Sequence, residues 1–437
     1  MIFAGLAMGL VLTAAAGVGP VAWLARDKGL TRTEFAAWVL LAGPLVLSLI
    51  LFGLGAVLQG RGLVSGVGTL ALASAAAGFR LRPRLDPRPP GLSAIGLACM
   101  LAALGIVAWQ CFARPMGTDG LFNFEFRARV AFAAGGHFPA ALYAGPNPQP
   151  WHPAYPPGLS LTELWLYLCM GTPHQLWVKT LGIWWFASVL LLIAARLPQR
   201  CAWTVTLLLV TPGIVFAPGG PVWLWADFPL AAWLLAAVLA AQRRHHGLLA
   251  LALCGLVWTK QEGVLLGIAV WAVAFRRSDW KQLARTACPS VGLVLTWKAF
   301  LIFHGLGPDT EYDATPRLAQ FADRIPTLAL LTVREWLTPE RWGLLWIAMV
   351  PAALRIERTT ELAHWRPAVR LIPAMALVYS GVFLLSTWPD YRIHFTSAYP
   401  RLLIPLGLVA TVAVAAALPV RFRRRPEGAP SVTVPSA

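Results

Sequence analysis

The chain has 437 residues, of which 58% are hydrophobic and only 13% charged, where a soluble domain carries about 25% charged residues. That composition excludes a water-soluble core of this size and leaves a polytopic membrane protein. The formal charge of +17 does not point to nucleic acid, because the bases stand in short clusters between apolar runs, as loop orientation in a membrane requires.

Apolar runs at 2–25, 34–58, 63–79 and 92–112 open the chain. Further runs follow at 177–195, 201–217, 224–241, 247–259, 263–275, 286–303, 342–354, 368–387 and 402–419. Helix is the only open element whose backbone is satisfied in lipid. The prediction is an all-α polytopic membrane protein of about 13 transmembrane helices, a single domain over 1–425 with a disordered cytoplasmic tail at 426–437. Ile2–Leu24 has no basic segment ahead of it and is long enough to span, so it reads as a retained helix. Six scattered cysteines have no paired spacing and read as small core residues.

With the loop 113–176 placed outside, alternation puts the larger share of the 36 Lys and Arg inside, Arg82, Arg243 and Arg423 among them. That parity requires Gly158–Met170 not to cross, so it reads as a juxtamembrane or re-entrant helix. A second outer loop is expected at 304–341. Most of the 19 acids fall on the outer side, which marks an outward-facing site.

The first outer loop opens with Asp119 in TDGLFNFEFRARVAFAAGG. Asp before a helix is a good N-cap; the same carboxylate is also placed to be a general base where a lipid-borne substrate meets an aqueous acceptor. The helix from about Leu121 to Ala134 puts Phe122, Phe126 and Val130 on one stripe and pairs Glu125 with Arg129 at i, i+4. Arg127 and Arg129 are candidates for a phosphate or for lipid headgroups. WHPAYPPG follows, a proline-stiffened turn offering His152 and Tyr155 either as ligand contacts or as an interfacial anchor. Asp227 starts a later helix in WLWADFPLAAW, and acids so near a membrane are costly unless used. Lys260, Gln261 and Glu262 interrupt an apolar stretch and form the tip of an outer hairpin, where the lysine faces either an anionic headgroup or its own glutamate. PDYRIHFTSAYPRLLIPL brings Asp390, Arg392, His394 and Arg401, the last at a depth that wants a phosphate or carboxylate partner. Asp309, Glu311 and Asp313 alternate, as a divalent-cation site or a solvated acidic loop would.

Taken together, TDGLFNFEFRARVAFAAGG, HPAYPPGLSL, ADFPLA, TKQEG and YPRLLIP resemble, in order and membrane side, the GT-C superfamily of integral-membrane glycosyltransferases. The resemblance is to the bacterial branch related to protein O-mannosyltransferases and the lipid A aminoarabinose transferase. It spans about 92–410. It implies an inner-membrane enzyme that moves a sugar, with inversion, from a polyprenyl-phosphate donor to a glycan, lipid or protein acceptor on the outer face. By position, Asp119 would be the base, Asp227 a second acid near the donor, and Lys260 and Arg401 the donor-phosphate contacts. Two departures stand out. Asp119-Gly120 replaces the paired acids of several relatives, which weakens the case for a metal there. Three extra N-terminal helices and no soluble C-terminal domain leave acceptor recognition unassigned. The alternative function is a transporter or flippase of lipid-linked sugars, which would place ionisable groups near the midplane on broken helices.

Overall fold

The computed structural model describes residues 1–26, 29–86, 91–139, 142, 152–274, 280–305 and 320–419. The long apolar runs become helices because nothing else satisfies their backbones in hydrocarbon. In chain order these are α1 (Ile2–Leu24), α2 (Arg32–Leu54), α3 (Gly60–Leu81) and α4 (Ala94–Ala113). After the first polar loop come α5 (Phe126–Ala133), α6 (Gly158–Met170), α7 (Thr180–Arg196), α8 (Cys201–Leu209) and α9 (Asp227–Gln242). The remainder is α10 (His246–Thr259), α11 (Glu262–Ala274), α12 (Trp280–Phe303), α13 (Phe321–Trp336), α14 (Leu345–Arg358), α15 (Arg366–Val382) and α16 (Tyr391–Ala417). Side chains close several starts. Thr31 accepts from the Glu34 amide at 3.1 Å, Ser93 from Gly96 at 3.0 Å and Asp390 from Arg392 at 2.8 Å.

The protein is an all-α integral membrane protein. Among the described residues, eight helices are long and apolar enough to cross a bilayer. The five other runs expected to span are shorter or interrupted. Pro212 stops α8 after nine residues, since proline has no amide to continue the ladder. α9, α10, α11 and α14 have 16, 14, 13 and 14 residues. At 1.5 Å per residue even α9 reaches only about 24 Å, short of a hydrocarbon core of about 30 Å. The only strands among the described residues are a parallel pair of two residues each, β1 (Leu30–Thr31) and β2 (Leu85–Asp86).

α9 and α16 pack together at the centre of the fold. α9 is buried from Asp227 to Ala240 and α16 from Leu402 to Ala417, so both are apolar all round, as core helices must be. α10 and α11 fold back beside α9, and α14 and α15 lean on α16. The N-terminal helices α1–α3 form their own bundle against α6, with Trp165 of α6 donating to the Gly9 carbonyl at 3.0 Å. α6 therefore lies sunk beside the first turns of α1, buried along nearly its whole length.

Charged groups gather at the two ends of the helices. One pole holds the ion pair of Arg243 with Glu34, the Arg84 carbonyl bonded to Leu30 at 3.1 Å, Arg200 on the Ala416 carbonyl, and Arg370 on Glu357 at 2.8 Å. The opposite pole holds Asp119, Asp227, Lys260 and Arg401. The alternation read from the loops is thus one the helices can follow. Residues 426–437, and the acids at 309, 311 and 313, lie outside the described residues.

Candidate functional site

Five separate segments meet at the second pole, and backbone fit explains how. After α4 the chain runs through Arg114 and Pro115, whose carbonyls both accept from Nζ of Lys179, a side chain only 2% exposed. Gly117 then lies against the indole of Trp225; a Cβ there would fall 2.1 Å from Nε1, so only glycine permits the approach. Asp119 follows, and after it the chain forms a π-helix over Gly120–Glu125 before α5. Such turns are rare and often mark functional positions.

Asp119 makes no side-chain cap. The N-cap reading is corrected: the residue is already helical, and its carboxylate instead meets the guanidinium of Arg401, 282 positions away. Arg401 also lies over the Trp225 ring, 4.8 Å from its centroid, and feels Asp227 as well as Asp119. About ten residues of α16, roughly 15 Å of helix, precede it from Tyr391.

The deeper level is built by the α10–α11 hairpin. Lys260 ends α10 and reaches Oδ1 of Asp227, the first residue of α9, at 2.7 Å and Oε1 of Glu262 at 3.0 Å. The Lys260 and Asp227 side chains are 4% and 3% exposed, against 19% and 14% for Arg401 and Asp119. The lower pair is therefore the more desolvated of the two. Gly219, at φ 99°, comes within 3.3 Å of Asp227 Oδ2 at its would-be Cβ, and an alanine there would also strike Ile404. The sequence leaves Lys260 two outcomes, an anion site or a local pair with its glutamate. The structure shows the pair and adds Asp227 to it.

Tyr155 stands between the two levels. Its ring is 5.8 Å from Lys260 Nζ, and Arg401 and Asp119 also act on it. Burial pushes its phenol well above the usual range, more than Lys260 and Arg401 pull it down. It is a neutral donor, not a base. His152 stacks on Tyr155 at 4.5 Å and 8°. His394 bonds Ser386 at 2.8 Å, stacks on Trp388 at 4.6 Å, and lies within electrostatic reach of Arg401 and His152.

The structure thus gathers Asp119, His152, Tyr155, Asp227, Lys260, Glu262, His394 and Arg401. It does not bring in Glu125 or Arg129. Those two pair with each other as the spacing requires, but behind the π-helix, where Tyr167 donates to Glu125 at 2.9 Å. The phosphate reading of Arg127 is corrected too. Its Nε donates to the Asn123 carbonyl at 2.6 Å and its Nη1 to the Tyr155 carbonyl at 2.7 Å, with no exposure at all. With Asn123 Oδ1 accepting from the His152 amide at 3.1 Å, it fastens the Pro-rich turn to the π-helix. Lys179, Asn123 and Trp225, which the sequence does not single out, act with Arg127 as positioning residues; for the two cations the available signal is that charged residues stranded in an apolar context need internal partners.

Among the described residues no three His, Cys, Asp or Glu side chains gather as a metal-binding group. What the cluster offers is three carboxylates on two cations, Asp119 on Arg401 and, more deeply buried, Asp227 and Glu262 on Lys260. An anionic ligand entering it would compete for both cations and release their acids. Comparison with family models, curated proteins and solved structures finds no match for this chain.

Proposed function

We propose that the protein is a membrane glycosyltransferase that moves a sugar from a polyprenyl-phosphate donor to an acceptor hydroxyl, with inversion, at the outer face of the membrane. The observation that carries this reading is the pairing of Asp119 with Arg401 beside the pairing of Asp227 with Lys260, with Arg401 in electrostatic reach of both acids. Displacement at an anomeric carbon needs a base for the incoming hydroxyl and a cation for the leaving phosphate, and the cluster holds both.

In the proposed step the donor phosphate takes Arg401 and Lys260, forming charge-assisted bonds. Asp119, freed from Arg401, accepts the proton of the acceptor hydroxyl. The acceptor oxygen forms its bond to the anomeric carbon while the carbon–oxygen bond to phosphate breaks, and polyprenyl phosphate leaves with the electron pair. A positioned base contributes roughly 10²–10⁴-fold, and fixed cations stabilise charge developing on the leaving oxygen. Asp227, at the N-terminus of α9, holds Lys260 in place; Tyr155 donates to sugar or phosphate.

The test is incubation of the purified full chain with a panel of polyprenyl-phosphate sugars and hydroxyl acceptors. Release of free polyprenyl phosphate with one of them is the expected outcome. A donor that crosses vesicles intact and is never cleaved would replace the enzyme with the transport alternative, which the break between α8 and α9 would suit.

Orientation is tested separately. Thr118 and Arg84 are both exposed, at opposite poles. Thr118→Cys should react with an impermeant thiol reagent added outside intact cells, and Arg84→Cys should react only after permeabilisation. Equal reaction of both from outside would remove the outward-facing site.

A further inference from the structure

Two buried polar atoms near Lys260 have no part in that scheme. Tyr379 lies on α15, only 1% exposed, and its hydroxyl has no hydrogen-bond partner among the described residues. Oε2 of Glu262 is likewise buried and bare, although Oε1 of the same carboxylate holds Lys260 at 3.0 Å. α15 packs on α11, the helix that Glu262 begins. The charged groups acting on the Tyr379 phenol are Glu262, then Lys260, then Asp227.

A buried hydroxyl without a partner is a cost that folding alone gives no reason to bear, since phenylalanine fills the same space without it. The same holds for an unbonded carboxylate oxygen. Their chemistry says what would satisfy them. Oε2 only accepts and the phenol can donate, so a group that gives one hydrogen bond and takes one would satisfy both. A sugar hydroxyl does this, in the place a water would otherwise take. A phosphate does not, because Oε2 would repel it, and the phosphate already has Lys260 and Arg401.

We propose that Tyr379 and Glu262 form a hydroxyl-recognition subsite that holds one ring hydroxyl of the transferred sugar beside Lys260. This inference rests on the glycosyl-transfer reading. A site built to bond a particular hydroxyl discriminates strongly against the analogue that lacks it, because its own buried groups are then left unpaired. Tyr379 and Glu262 would therefore help decide which sugar is carried.

The experiment compares wild type, Tyr379→Phe and Glu262→Gln on the polyprenyl-phosphate hexose that wild type uses and on its monodeoxy analogues. For one deoxy position, wild type should lose about tenfold or more in kcat/KM, the size of one buried hydrogen bond. Tyr379→Phe should lose about as much on the parent donor, chiefly through KM, and little more on that deoxy donor. Its Tm should hold or rise, because an unsatisfied hydroxyl has gone. Glu262→Gln, which keeps an acceptor but not the charge, should show the same dependence on deoxy position. Losses that simply add for every deoxy donor, or unchanged kinetics with a fallen Tm, would assign the tyrosine to the fold and overturn the subsite. Failure of wild type to cleave any donor is a different result: it removes the glycosyl-transfer reading and the inference with it.

Discussion

Asp119→Asn is expected to lower sugar transfer by roughly 10²-fold or more while leaving the protein folded. Asparagine keeps the shape of the side chain and an oxygen for the Arg401 guanidinium, but it cannot take the acceptor proton. The structure sharpens this comparison, because Asp119 caps no helix and so no capping energy is at stake. What the variant does lose is half of an ion pair. Its partners are 19% and 14% exposed, and Arg401 keeps Asp227 within reach. The stability change should stay well below the roughly 3–5 kcal/mol of a fully buried broken pair. Donor turnover and thermal melting in detergent, measured on the same preparation, separate the two effects. Near-normal turnover would move the base to another outer acid, Asp227 first.

Much of the fold was legible because it follows from hydropathy. Eight of the thirteen predicted runs become helices of full spanning length, and the alternation of basic loops matches the pole where Glu34 meets Arg243 and Arg200 meets Ala416. The rest depends on packing, which composition does not encode. Residues 201–217 are apolar enough to be a span, yet Pro212 divides them. α10 and α11 are equally apolar but too short, and their shortness is what sinks Lys260 to the level of Asp227. The tail and the acidic run at 309–313 lie outside the described residues.

The site was legible in part for a similar reason. Ionisable residues near apolar helix ends need partners or uses, so Asp119, Asp227, Lys260 and Arg401 stood out. Sequence could not say that they would pair with one another across 282 and 33 positions. Glu125 and Arg129 stood out equally and lie elsewhere, since the i, i+4 spacing predicts their mutual bond but not the face on which it falls. Arg127 and Arg129 look alike in sequence. Two positions apart on a helix, they cannot face the same way; one is 0% exposed and clamps carbonyls, while the other is 44% exposed and paired with Glu125. Tyr379 gave no signal at all, because an aromatic in an apolar run is normally core.

Lys260→Met should have the largest effect on both stability and activity. It leaves Asp227, 3% exposed, and Glu262, 21% exposed, without the lysine that bonds both, and with only Arg401 still within electrostatic reach of Asp227. Breaking a buried pair by removing one partner costs about 3–5 kcal/mol, mostly from the charge left behind. Activity should fall at least 10²-fold, as for loss of one fixed group stabilising a leaving oxygen. A single variant cannot separate those losses, since a loosened hairpin would also misplace the cluster. The double variant Lys260→Met/Asp227→Asn can. It removes the stranded charge at the deepest position while keeping the shape of the aspartate, so melting temperature should recover most of the way. Turnover should not recover, because no cation remains for the leaving phosphate at that depth. Asp227→Asn alone completes the cycle, and residues in direct contact should show a coupling of about 0.5–3 kcal/mol in stability. If turnover returned together with stability in the double variant, Lys260 would be only the counter-ion of Asp227, and the leaving group would depend on Arg401 alone.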